Sequence, residues 1–132
     1  MKVSLKAVIY PTENSEKVSK AVKNIFPDLR LEVEKRKGYS IIKGKAKERK
    51  ALEKLYKMLR KEKILDTARN ALMRTKQEDK VFFTINKQAA YVGRLNLSVE
   101  STLGAIEVEI EDGNIDVFID WLAPETFEGK EI

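Results

Sequence analysis

Residues 29–63 read LRLEVEKRKGYSIIKGKAKERKALEKLYKMLRKEK, and two hydrophobic periods meet inside this stretch. Leu29, Leu31 and Val33 alternate with Arg30, Glu32 and Glu34, the pattern of a strand with two unlike faces. Lys37-Gly38 then supplies a turn, and 39–45 returns as a second strand, so the pair reads as a hairpin. From Ala46 the period becomes 3.6. Leu52, Leu55, Tyr56 and Leu59 form the apolar stripe of one helix expected over 46–62. On its other side Lys47, Lys50, Lys54, Lys57 and Lys61 recur at spacings of 3, 4, 3 and 4. At about 1.5 Å per residue they make a basic stripe roughly 21 Å long.

The same two periods organise the rest of the chain. Val3, Leu5, Ala7 and Ile9 alternate with Lys2, Ser4, Lys6 and Val8, which gives a strand over 2–10. Pro11 ends it. Thr12, Asn14 and Ser15 offer cap oxygens to a helix over 15–25, where Val18, Ala21, Val22 and Ile25 recur at i, i+3, i+4, i+7. A break is expected near Lys63, followed by a helix carrying Leu65, Ala68, Ala71 and Leu72. Val81 to Ile85 and Ala89 to Asn96 read as strands, with Asn86-Lys87-Gln88 as the loop between them. Ile106, Val108 and Ile110 alternate with Glu107, Glu109 and Glu111 in a last strand. Ile115, Phe118, Ile119 and Leu122 then mark a short helix stopped by Pro124. The expected order is β-α-β-β-α-α-β-β-β-α. It predicts an α+β fold, with a mostly antiparallel sheet and helices packed on one face. One domain is expected over 1–124, with residues 125–132 fraying as a tail.

The chain has 132 residues, no cysteine and no histidine. Those absences exclude disulfides, thiol nucleophiles, Cys/His zinc sites and any histidine base. No run of 18 apolar residues is present and the first residues lack a signal core, which points to a soluble, cytoplasmic protein without a membrane span. The abundance of Lys and Glu and the scarcity of Gln match thermophile usage. Lys and Arg total 26 against 21 Asp and Glu, but the charge is uneven. Residues 97–132 hold 10 of the acids and one base, Lys130, while residues 35–63 hold 13 bases and 3 acids. A local excess of that size is the electrostatic footprint of a polyanion site unless the fold brings the acidic tail onto it.

Glycine-rich phosphate loops are missing, and no cofactor is implied. Asp112, Asp116 and Asp120 are the carboxylates with a spacing that could share a divalent ion in a phosphoesterase, although solvated helix acids explain them as well. Nothing in the sequence assembles a nucleophile, a base and an oxyanion hole, so a non-enzyme is expected. Asn86 to Gly93 combines polar side chains with a turn, a place where Lys87 could reach a phosphate. Tyr39, among Arg36, Lys37 and Lys43 at the hairpin tip, and Trp121 are candidate stacking rings that packing explains equally well.

Four segments together carry a family resemblance: Ile64-Leu65-Asp66-Thr67-Ala68-Arg69, Asn86 to Gly93, Leu103-Gly104-Ala105-Ile106, and Ile119-Asp120-Trp121-Leu122-Ala123-Pro124. They resemble a family of small archaeal proteins described as an RNA-binding domain, a sister group of which is linked to the archaeal exosome. The resemblance spans nearly the whole chain. It implies a fold similar to that of the large-subunit ribosomal protein that binds 5S RNA, with RNA, a ribosome or an exosome component as partner. It implies no catalytic residue. The expected RNA contacts are Lys47, Lys50, Lys54, Lys57 and Lys61, assisted by Arg36, Lys37, Lys43 and Lys87. The rival expectation is a non-catalytic scaffold or homodimer whose acidic C-terminal third docks on a basic face.

Overall fold

The alternation at the N-terminus builds the middle strand of the fold. In β1 (Lys2–Ile9), Val3, Leu5, Ala7 and Ile9 are buried while Lys2 and Lys6 point the other way into solvent. The computed structural model describes residues 1–97 and 104–132. Leu103, one of the residues that carry the family resemblance, lies outside the described residues. After β1 the chain runs through α1 (Ser15–Ile25), β2 (Arg30–Arg36) and β3 (Tyr39–Ala46). A 3-10 turn (Arg49–Leu52), α2 (Glu53–Lys61) and α3 (Leu65–Thr75) follow. Then come β4 (Lys80–Asn86), α4 (Lys87–Tyr91), β5 (Ala105–Glu111), α5 (Ile115–Leu122) and a small hairpin of β6 (Thr126–Phe127) and β7 (Lys130–Glu131).

Among the described residues five strands form one antiparallel sheet in the order β2-β3-β1-β5-β4. The inward residues of β1, β4 and β5 meet Val22 and Ile25 of α1, Leu55 and Leu59 of α2, Leu72 of α3 and Phe118 and Ile119 of α5 in a single core. The helices therefore cover one face of the sheet, as the hydrophobic periods predict. Among the described residues the opposite face carries no helix and bears most of the charged strand residues, with the apolar Val8, Ile41 and Phe82 between them. Lys6 of β1 stands there opposite Glu107 of β5, and Lys2 stands opposite Glu111.

Local chemistry sets the ends of the elements. Asn14 caps α1 by accepting from the Lys17 N–H at 3.1 Å. Lys63 takes the left-handed conformation (φ 57°), and the Ile64 N–H reaches back to the Leu59 carbonyl at 3.1 Å. That 6→1 bond closes α2 in a Schellman-type end, at the break the sequence predicts.

Three segments differ from the sequence reading. The helix expected over 46–62 is shorter: Ala46 pairs with Val3 as the last residue of β3, and the α-helical part begins only at Glu53. Leu52, Leu55 and Leu59 are buried as expected, but Tyr56 is half-buried and stacks on Trp121 with ring centroids 5.1 Å apart. The segment 89–96 is not a strand. Asn86 accepts from the Ala89 N–H at 2.9 Å and starts α4, and Gly93 follows the helix at φ 77°. Capping and a left-handed glycine thus outweigh the strand preference of Tyr91 and Val92. Where fraying is expected of 125–132, the chain forms the β6–β7 hairpin, and Glu131 accepts from Arg60 at 2.8 Å.

Candidate nucleic-acid interface

The basic stripe begins from a simple geometric fact. Leu55 and Leu59 of α2 face the sheet, so the residues at Lys54, Lys57 and Lys61 (i, i+3, i+7) face away from it. All three are exposed, as are Lys47 and Lys50 in the lead-in. Because that lead-in contains a 3-10 turn, the five lysines do not lie along one continuous α-helix. The strictly helical portion, from Lys54 to Lys61, spans about 10 Å at 1.5 Å per residue. Among the described residues none of the five lysines has a carboxylate within 4.0 Å.

The acidic C-terminal third falls elsewhere. Asp120 and Glu125 reach Arg69 of α3 at 2.7 and 3.7 Å, Asp116 pairs with Lys76, and Glu131 holds Arg60. Arg69 also donates to the Ala123 carbonyl at 3.1 Å. The C-terminal acids therefore pair with Arg60, Arg69 and Lys76 and leave the outer lysines of α2 unmatched. The same contacts bear on the divalent-ion candidate. Asp116 and Asp120 each face a cation, and Asp112 accepts from the Asn114 N–H at 2.9 Å. Among the described residues no three carboxylates gather as a metal-binding group.

The assisting residues expected from sequence do not join the stripe. Arg36 and Lys43 lie on the open side of the sheet, opposite the helices, and both grip Glu34, at 2.8 and 2.7 Å. The hydrogen bond from Lys43, reinforced by the Arg36 charge, holds the Glu34 carboxyl below its ordinary value. Lys37 sits exposed in the hairpin turn beside Gly38, whose φ of 85° only glycine adopts readily. Lys87 is turned inward and is only 5% exposed. Its ammonium donates to the Val8 carbonyl at 2.6 Å and meets both Glu13 oxygens at 3.0 and 3.2 Å. It is a buried strut between α4 and the β1–α1 connection, so it is withdrawn from the phosphate-contact set. A buried ammonium with a charged partner and a carbonyl acceptor is the arrangement its desolvation requires.

One group was missed. Exposed Arg49 lies over the Trp121 ring at 5.1 Å, and Arg60 lies over Tyr56 at 3.4 Å. Arg49 stands between Lys47 and Lys50 in the basic run, so its charge was legible in the sequence, while the ring that holds it was not. Trp121 is packed against the core edge, as its apolar neighbours suggest. Among the described residues no helix is long and apolar enough to cross a membrane.

Comparison with known proteins adds a family to this geometry. A sequence model described as RNA binding matches residues 2–111. A UPF0201 protein of Thermococcus onnurineus is 42% identical over 130 residues, covering 98% of this chain and 96% of the relative. The crystal structure of a UPF0201 protein from Methanococcus jannaschii superposes with a TM-score of 0.90 at 41% identity, covering 100% of this chain and 99% of the other. A DUF54 protein from Archaeoglobus fulgidus is more distant, with a TM-score of 0.60 and 27% identity over 82% of this chain and 83% of its own. With relatives of this similarity covering nearly the whole length, the chain belongs to the archaeal UPF0201 family, and most of it matches a sequence model described as RNA binding.

Proposed function

We propose that this protein is a non-catalytic module that binds RNA by its phosphates, through the outer face of α2 and the lead-in to it. The observation that carries the reading is the set of five exposed lysines with no carboxylate within 4.0 Å among the described residues. An ammonium offers a point charge without the planar fork that reads a base edge. Binding of this kind is salt-dependent and nearly indifferent to sequence. The rival scaffold reading, with the acidic third docking on another basic face, loses support because Asp116, Asp120 and Glu131 already face cations of their own chain.

The test is a salt titration of labelled single- and double-stranded RNA. If four of the five lysines each neutralise one phosphate, log K falls against log salt with a slope of roughly −3 to −4. Lys54→Gln with Lys57→Gln should keep the fold and lower that slope by about 1 to 2, equally for unrelated sequences. Lys2→Gln with Lys17→Gln, away from α2, should leave it unchanged. Double-mutant binding with the wild-type slope overturns the assignment.

A further inference from the structure

The two edges of the sheet are finished differently. In β4, registered against β5, the peptide groups of Lys80, Phe82, Thr84 and Asn86 point outward. Three of these positions are blocked. Gln77 exchanges two backbone hydrogen bonds with Lys80 at 2.9 and 2.8 Å. The Thr75 hydroxyl donates to the Phe82 carbonyl at 2.7 Å and accepts from its N–H at 3.0 Å. The Asn86 N–H donates to the Asn96 carbonyl at 2.8 Å. At the other edge, the two-residue turn makes Arg36 and Tyr39 a hydrogen-bonded pair, so Leu31, Val33 and Lys35 of β2 turn their peptide groups outward. Among the described residues no backbone or side-chain group bonds to them. Val33 is 53% exposed beside this row. An open edge of this length is a template for another strand.

We propose that a second copy of this chain docks on this edge, with the two β2 strands antiparallel about a twofold axis at Glu32, joining two five-stranded sheets into one. Charge and apolar matching together choose the register. Centred on Val33, the pairing sets Glu32 against the partner's Glu34 and Arg30 against the partner's Arg36. Centred on Glu34, it sets Glu32 against the partner's Arg36, as favourable in charge as the alternative below, but it sets Val33 against the partner's Lys35 and leaves Leu31 opposite the partner's hairpin turn. Centred on Glu32, it sets Arg30 against the partner's Glu34 twice over and Leu31 against the partner's Val33. The two Glu32 side chains then meet on the axis, each opposite Lys43 of its own hairpin. Opposite charges and apolar pairs across a ladder stabilise it, and like charges oppose it. Leu31 and Val33 supply about four new hydrogen bonds in all. Lys35 falls beyond the paired segment. The interface is small, so the dimer is concentration-dependent.

Light scattering behind size exclusion tests this. Wild type at roughly 200 µM should show about twice the 15.2 kDa monomer mass, and should keep it at about 1 M salt, where a dimer made only of surface ion pairs would dissociate. Val33→Pro removes an outward N–H that the β2–β3 ladder does not use, and should weaken association roughly tenfold or more. Val33→Lys leaves every backbone donor in place and should do the same if the proline variant folds poorly. Arg30→Glu should weaken the dimer, and Arg30→Glu with Glu34→Arg should restore it. A monomeric wild type overturns the proposal, as does a dimer lost at high salt or one that both Val33 variants leave intact. Failure of the charge swap to restore association overturns the register.

Discussion

Lys6, on the open face of the sheet, stands between Glu107 on one neighbouring strand and Lys43 on the other, and Lys43 is itself tied to Glu34 at 2.7 Å. Lys57, on the outer face of α2, has no such company among the described residues. Both faces are rich in lysine. On the sheet, hydrogen-bonded register brings residues from distant parts of the sequence side by side, so β5 delivers Glu107, Glu109 and Glu111 into the basic surroundings of β1 and β4. On the outer, lysine-bearing face of α2, neighbours are set by the helix itself, and Glu53 is the acid its own sequence supplies. The difference teaches that the local excess of charge in this chain survives folding only where the structure is local too.

That contrast can be broken or sharpened in four ways. The largest effect comes from undocking α2 altogether. Leu55, 1% exposed, should cost about 2–5 kcal/mol of stability when changed to Ala, measured by denaturant unfolding. A loss under roughly 1 kcal/mol would mean α2 is not anchored by this face. Reversing charge on α2 comes next. Lys54→Glu with Lys57→Glu should weaken RNA binding by about tenfold to a hundredfold at low salt, with thermal stability nearly unchanged.

The third change makes the sheet resemble α2. Glu107→Lys with Glu109→Lys strips the open face of two of its balancing acids and should add a second, weaker RNA-binding surface. The expected signs are a severalfold gain in affinity and a salt slope steeper by about 1. Unchanged binding would show that charge excess alone does not make an interface here.

The smallest effect is on acid stability. The folded carboxyl of Glu34 lies below its ordinary value of 4.5, with its bond to Lys43 as the chief cause. Its ion pairs therefore add stability above that value, and the addition disappears as pH falls through the folded value. The gap in melting temperature between wild type and Glu34→Gln should be small at neutral pH, since the pairs are exposed, and should close as pH falls through the lowered folded value. A gap that widens in acid contradicts the assignment.

The antiparallel α+β architecture was legible because Val3 to Ile9 and Ile106 to Ile110 alternate cleanly and Val18 to Ile25 does not. Tertiary partners account for what was not. Ala46 looks like a helix former, but Val3 claims it for the sheet. The α4 helix is five residues long, too short to show a period, although Asn86 and Gly93 mark its two ends. Lys87 read as a free cation because Glu13, its partner, lies 74 residues away in the sequence. The lysines of α2 were readable as a group because helical spacing is a property of the sequence itself. Arg36 and Lys43 were not separable from them until the strands placed both on the other side of the sheet.

The stack of Tyr56 on Trp121 has a practical consequence. Trp121 is the single tryptophan of the chain; it sits on α5 beside Phe118 and touches α2 through Tyr56 and the lead-in through Arg49. Its indole is a built-in optical gauge at the boundary of the lysine-bearing element. A shift in its emission reports movement of α2 against α5 without any attached dye, in the same cuvette in which nucleic acid is titrated.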